Sequence, residues 1–200
     1  VPVLGITGGV ATGKSTFTNA LIRRLPAEVF DADRTAHKLL EHDAEIRRAV
    51  KAAFGDEIYD SAGKPDRPKL RELVFSDDDR RNQLEQILHP AIRTRWMQLG
   101  ASARRERTWL VVDIPLLYET AAESHFDRVI VVACSPRTQR RRLSEKRALN
   151  PEMSDRILAA QLDLSLKINR ADHLIWNDST PACLEAQTEL LVSWLTRSYG

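Results

Sequence analysis

Short apolar runs bounded by glycine, proline or polar residues alternate along this chain with longer stretches whose apolar positions recur every three or four residues. Val3–Thr7, Trp109–Asp113 and Val129–Cys134 are rich in Val, Ile and Leu without strict alternation, the pattern of strands buried on both faces. Glu28–Asp31 and His173–Trp176 are shorter strand candidates. Between them, Ser15–Leu25 places Phe17, Leu21 and Leu25 on one helical face. Thr138–Arg147 and Ala182–Leu195 are further helix candidates, the last with Leu184, Leu191, Val192 and Leu195 as its apolar set. Strands alternating with helices predict an α/β fold, a parallel sheet covered by helices on both faces.

From about Arg34 to Ala103 the pattern changes: charged amphipathic runs without a convincing strand. Asp77–Asp79 after Ser76 suits a helix start, with Ser able to cap and the carboxylates facing the positive end of the dipole. Leu84, Ile87, Leu88, Ile92, Trp96 and Leu99 then follow at helical spacing, with Pro90 expected to kink or divide the helix. The prediction is a core of residues 1–33 and 106–200 interrupted by an all-helical insertion over 34–105. Trp96 and Trp194 fall at apolar helical positions and are expected in the core.

Composition narrows the class. Among 200 residues, 30 Lys and Arg stand against 28 Asp and Glu, so a basic function has to come from clustering rather than net charge. Two cysteines, Cys134 and Cys183, are too few for a disulfide framework, which points to a reducing compartment. No apolar run approaches the ~20 residues of a spanning helix, and the N-terminus lacks a signal-peptide pattern. The expectation is a cytoplasmic protein without membrane partners, monomeric or weakly self-associating.

Gly8-Gly9-Val10-Ala11-Thr12-Gly13-Lys14-Ser15 matches G-x-x-x-x-G-K-[ST] in full, with an apolar strand before it and an amphipathic helix after it. In such a P-loop the backbone N–H groups converge on phosphate, and the helix N-terminus adds partial positive charge. Lys14 is expected to reach the outer phosphates and the Ser15 hydroxyl to ligate Mg²⁺. Gly8, Gly9, Ala11, Thr12, Gly13, Lys14, Ser15 and Thr16 form the predicted ATP-binding set. Guanine recognition by N-K-x-D is absent. A short P-loop chain with a helical insertion fits a kinase of small acceptors, the insertion binding the acceptor and excluding water.

Such a kinase needs a carboxylate to take the proton of the attacking hydroxyl. Asp31 and Asp33 stand at the end of the second strand; by spacing alone Asp33 serves equally well as base or as helix cap. Asp113 is open between a ligand of Mg²⁺ or its water and a structural acid. Arg137, Arg140, Arg141, Arg142, Lys146 and Arg147 crowd into eleven residues. A solvated cationic face accounts for most of them, while one or two suit a lid that neutralises the transferring phosphoryl group. A nucleic-acid surface is the rival explanation, weakened by the lack of interleaved aromatics.

Together these motifs resemble the dephospho-coenzyme A kinases: Gly5-Ile-Thr-Gly-Gly9 with the P-loop, Asp31-Ala-Asp33, Leu88-His-Pro90 and Asp113-Ile-Pro-Leu-Leu-Tyr-Glu119. Arg156, Ala160-Gln161, Ala171-Asp172 and Asn177 continue the same order. The resemblance implies phosphorylation by ATP of the ribose 3′-hydroxyl of dephospho-coenzyme A, giving coenzyme A and ADP. It also implies a lid at about residues 137–162. It favours Asp33 as base and places His89, Pro115, Leu116 and Glu119 beside the acceptor. Arg140 is the favoured lid arginine, with Arg142 second, and Asn177 matches a position near the adenine end. A kinase of another small alcohol or of a nucleoside monophosphate is the alternative. The chain departs from the family pattern at Ala11-Thr12, where Gly-Ser is common, and at Lys146-Arg147, where Arg-Asp is common. Ala at position 11 makes positive φ less accessible.

Overall fold

The computed structural model describes residues 1–147 and 150–200, with the side chains of residues 75, 76, 146 and 147 outside the description. The expectations for Ser76, Lys146 and Arg147 therefore fall outside the described side chains. In chain order the elements are β1 (Val3–Gly8), α1 (Lys14–Ile22), β2 (Ala27–Asp31), α2 (Ala32–His42), α3 (Ala44–Phe54), α4 (Arg67–Ser76) and α5 (Asp78–Glu106). They continue with β3 (Trp109–Asp113), β4 (Arg128–Ala133), α6 (Pro136–Arg147), α7 (Pro151–Ala159), α8 (Leu164–Asn169), β5 (His173–Trp176) and α9 (Pro181–Tyr199). The chain divides into two compact units, Val1–Phe30 with Leu99–Gly200, and Asp31–Gln98. Sequence reasoning set the boundaries after residues 33 and 105. The units meet after Phe30 and within α5, so Asp33 belongs to the helical unit.

The first unit is built on a five-stranded sheet of order β2-β3-β1-β4-β5. β1 pairs in parallel with β3 from Val3↔Leu110 to Ile6↔Asp113, and with β4 from Leu4↔Arg128 to Gly8↔Val132. β4 in turn pairs in parallel with β5. Every residue of β1 and β3 is buried, as their uninterrupted apolar runs require. Phe17 and Leu21 of α1 and Leu184, Leu191 and Leu195 of α9 join Leu4, Ile6, Val111, Ile130, Val132 and Ile175 in one core. The chain leaves β1 toward β2 at one edge of the sheet and leaves β3 in the other direction, past β1 to β4, so the connections diverge at the carboxyl ends of the adjacent strands β1 and β3. The crevice that forms at the carboxyl ends of strands at such a switch point is where α/β sheets bind ligands.

Trp194 corrects the sequence reading. It is partly exposed and packs edge-on against the His173 and Tyr199 rings instead of entering the core. The buried stripe of α9 runs through Leu184, Thr188, Leu191 and Leu195, and Trp194 lies one residue, about 100°, off it.

The second unit is helical, with only an isolated bridge between Tyr59 and Pro65 as extended pairing among its described residues. Leu39, Leu40, Ile46, Val50, Phe54, Ile58, Leu70, Leu88, Ile92 and Trp96 are buried. Aspartates start its helices: Asp31 accepts from the Arg34 N–H, Asp43 from Glu45 and Ile46, and Asp66 from Lys69. At the head of α5 the acceptor is Asp77, whose Oδ1 takes the N–H groups of Asp79 and Arg80. Pro90 neither ends nor divides α5, which continues to Glu106. Proline withholds one hydrogen bond, and the turns on either side carry the helix past it.

Candidate active site

β1 ends at Gly8, and its close neighbour explains the glycine: a Cβ there would stand 2.3 Å from the Val132 carbonyl oxygen of β4. The loop then turns through Ala11 at φ 59° and Gly13 at φ 92° into α1. Ala11 thus occupies the left-handed region despite its Cβ. Gly13 stands at the N-cap of α1 without any side-chain cap, so the first N–H groups of the helix stay available to an anion.

Every carbonyl from Gly9 to Thr12 is bound by a side-chain donor. The Thr12 hydroxyl donates to Gly9 O at 2.9 Å, and Gln139 Nε2 donates to Val10 O at 2.7 Å. Arg142 Nη1 reaches Ala11 O at 3.2 Å and Thr12 O at 3.0 Å, while its Nη2 donates to Asn177 O at 2.9 Å. Asn177 Nδ2 adds a second bond to Thr12 O at 2.8 Å. A phosphate would be repelled by carbonyl oxygens and attracted by N–H groups. Binding the carbonyls to these donors leaves the opposite, N–H edges of the peptides for the anion. At Val10 the N–H is itself engaged, donating to Gln161 Oε1 at 3.0 Å.

Lys14 Nζ forms an ion pair with Asp113 Oδ1, and the Thr18 hydroxyl lies 3.5 Å from Asp113 Oδ2. The register Ile6↔Asp113 brings this carboxylate to the loop from the neighbouring strand. Ser15 and Thr16 are exposed in the first turn of α1. The described residues contain no cluster of three or more His, Cys, Asp or Glu able to hold a metal. One hydroxyl and one carboxylate nevertheless suit Mg²⁺, which keeps several waters and takes its remaining ligands from phosphate oxygens.

Beyond β3, Pro115 O accepts from the Thr7 hydroxyl at 3.0 Å and from Lys167 Nζ at 3.2 Å. Lys167 is fully buried and pairs with Glu119 Oε1 at 2.7 Å, which also accepts the Leu162 N–H at 3.0 Å. The Glu119 carboxylate is thus engaged within the protein, alongside the expected acceptor residues Pro115 and Leu116. Asp178, next to Asn177, accepts from the Ser135 N–H and hydroxyl, and hydrogen bonds led by that of Thr138 hold its carboxyl below the usual range.

The two arginines favoured by sequence part company. Arg140 is exposed and pairs with Asp155 of α7 at 2.7 Å, whereas Arg142 is the one bound to the phosphate loop. In the helical unit, Asp31 takes the cap of α2 and leaves Asp33 exposed in its first turn. His89 is half-buried within α5, and burial, with Glu85 opposing and Arg93 reinforcing, lowers its pKa from the ordinary 6.5. Sequence reasoning gave no role to Gln139, Gln161 or Lys167. Gln161 stands in the Ala160-Gln161 motif of the resemblance, and Lys167 is a lone lysine among the apolar residues of Leu164-Ser-Leu-Lys-Ile168; Gln139 carries no such signal.

The Dephospho-CoA kinase family model matches residues 2–182. A dephospho-CoA kinase of Bacillus cereus is 39% identical over 191 residues, covering 95% of this chain and 94% of that one. One from Methylococcus capsulatus is 38% identical over 189 residues, 94% of each. Among solved structures, dephospho-CoA kinase from Campylobacter jejuni superposes with a TM-score of 0.74 at 25% identity, covering 98% of both chains. A shikimate kinase from Acinetobacter baumannii, at 12% identity and a TM-score of 0.59 over 100% of this chain and 96% of that one, shares the fold.

Proposed function

The chain belongs to the dephospho-CoA kinase family, and from that premise we propose that it transfers the γ-phosphoryl group of ATP to the ribose 3′-hydroxyl of dephospho-coenzyme A. The bond formed joins the 3′-oxygen to the γ-phosphorus, and the bond broken joins that phosphorus to the β–γ bridging oxygen. ADP leaves, and the hydroxyl proton passes to a carboxylate. The observation that carries this reading is the phosphate loop, its carbonyls bound from Gly9 to Thr12 and Lys14 at the head of an uncapped helix. Most of the catalytic work in phosphoryl transfer is positioning and charge stabilisation, which this loop is built to supply.

Lys14 serves the outer phosphate oxygens, exchanging its Asp113 partner for them. Ser15 and Asp113 would hold Mg²⁺, which would offset the charge of the phosphates. Asp33 accepts the proton; its exposure, and the use of Asp31 for the α2 cap, support that role. Arg140, on the exposed face of α6, is the lid arginine that meets the transferring group, releasing Asp155 to do so. Arg142 and Asn177 serve the nucleotide by fixing the loop that holds it. His89, Pro115 and Leu116 border the acceptor, with Glu119 placing the Pro115–Leu116 loop through Lys167.

Asp33→Asn tests the assignment of the base. It is expected to lower kcat about 10²-fold while changing the ATP dissociation constant less than about twofold. Undiminished turnover removes Asp33 from the role.

A further inference from the structure

Gln139 and Gln161 stand 22 positions apart, the first in the opening turn of α6 and the second just past α7, yet their side chains meet at one residue of the phosphate loop. Gln139 Nε2 donates to Val10 O at 2.7 Å, and Gln161 Oε1 accepts from Val10 N at 3.0 Å. The two amides act with opposite polarity on the two hydrogen-bonding groups of a single residue. Both contacts are long-range in sequence and close the arginine-bearing segment at its two ends. Gln139 is almost fully buried, and a Cβ on Gly9 would stand 2.8 Å from its Nε2, so the amide packs directly against the glycine backbone.

We propose that Gln139 and Gln161 are positioning residues that fix Val10 from both sides, setting the phosphate cradle and referencing both ends of the α6–α7 segment to it. The physical reason lies in the loop's geometry. A carbonyl that rotates inward replaces an attractive N–H edge with a repulsive oxygen, and Val10 is the one residue between Gly9 and Thr12 whose N–H and C=O are both bound by side chains from outside the loop. Without Gln139 its carbonyl loses the donor that holds it outward. Without Gln161 its N–H loses the acceptor that fixes the plane of the preceding peptide. Arg142 holds the carbonyls of Ala11 and Thr12 in the same sense, so the Val10 clamp completes a continuous brace.

Polarity makes the proposal sharp. Position 161 needs an acceptor, which Glu also provides; position 139 needs a donor, which Glu at neutral pH does not. The experiment is hydrogen exchange at the Val10 amide in the nucleotide-free full chain, with steady-state kinetics alongside. Gln161→Met should speed Val10 exchange by roughly three- to tenfold, the equilibrium worth of one hydrogen bond, while Gln161→Glu keeps the protection. Gln139→Met should raise KM for ATP by roughly three- to tenfold with KM for the acceptor unchanged, and Gln139→Glu should raise it further. Gln161 lies half-buried at a helix end, so its variants fold even if those of Gln139 do not, and the exchange measurement then decides. Unchanged Val10 exchange in Gln161→Met, or equal loss of protection in Gln161→Glu and Gln161→Met, overturns the clamp. So does an equal rise of both KM values in Gln139→Met. The functional half of the inference rests on reading this loop as the triphosphate site. Exchange in free protein is independent of that reading, so failure of the clamp and failure of the kinase assignment are told apart.

Discussion

Removing either member of the Lys167–Glu119 pair should have unequal consequences, and the structure says which is worse. The Lys167 side chain is 0% exposed and the Glu119 side chain 22%. In Glu119→Gln the ammonium stays in the interior without its counter-charge, keeping only Pro115 O and a neutral amide. Leaving a charge buried and uncompensated costs about 3–5 kcal/mol. In Lys167→Met the aliphatic stem is replaced at similar volume and the buried charge disappears. Glu119 then keeps the Leu162 N–H and its access to water, and Pro115 O keeps the Thr7 hydroxyl. The remaining cost is that of one or two hydrogen bonds, about 1–2 kcal/mol. For a chain of this size the expected Tm losses are about 10 °C for Glu119→Gln and about 4 °C for Lys167→Met. The double variant should resemble Lys167→Met, because the second substitution no longer leaves a charge behind. Thermal and urea unfolding followed by tryptophan fluorescence give the comparison. A Lys167→Met variant as unstable as Glu119→Gln, or a double variant that loses the sum of the two, refutes the reasoning.

Two further outcomes concern the first unit. His173 packs against the Trp194 ring with Nε2 buried and without a partner; burial lowers its pKa from 6.5, with Arg128 reinforcing and Asp172 opposing. A depressed pKa means the unfolded chain binds the proton more readily, so this stabilisation is complete above 6.5 and is lost as pH falls below it. His173→Gln should therefore show a smaller fall in Tm between about pH 7.5 and 5.5 than the parent, and an equal fall rejects the linkage. Ala11 at φ 59° bears left-handed strain that glycine avoids, offset in part by glycine's larger unfolded-state entropy. Ala11→Gly should thus raise stability by about 0.5–1 kcal/mol in urea unfolding, and a loss of stability contradicts the strain argument.

The sheet was legible because strands buried on both faces must be apolar throughout, and β1, β3 and β4 carry that pattern unmixed. The phosphate loop was legible because glycine at positions 8 and 13 answers local demands, a close carbonyl in one case and a positive φ in the other. What braces the loop could not be read in this way. Gln139, Arg142, Gln161 and Asn177 come to it from over 120 residues along the chain, and nothing local distinguishes a glutamine that binds a distant carbonyl from one that faces solvent. The arginine run shows the same limit: Arg140 and Arg142 are nearly interchangeable in sequence, yet two positions along a helix turn them about 200° apart. One therefore meets Asp155 and the other the loop. Pro90 does not divide α5 because a single missing bond weighs little in its 29 residues. Trp194 was misplaced because a loose apolar pattern covers a wider arc than the face α9 buries.

The proposed function requires the loop to deliver a phosphoryl group to one particular sugar hydroxyl. Incubation of the protein with ATP, Mg²⁺ and dephospho-coenzyme A, followed by ³¹P NMR, tests it most directly, with AMP and shikimate as parallel acceptors. The account requires a new phosphomonoester on the ribose 3′-oxygen, formed mole for mole with ADP from dephospho-coenzyme A and not from the other two. A phosphoryl group on another oxygen, equal use of AMP or shikimate, or ADP accompanied only by inorganic phosphate would contradict it.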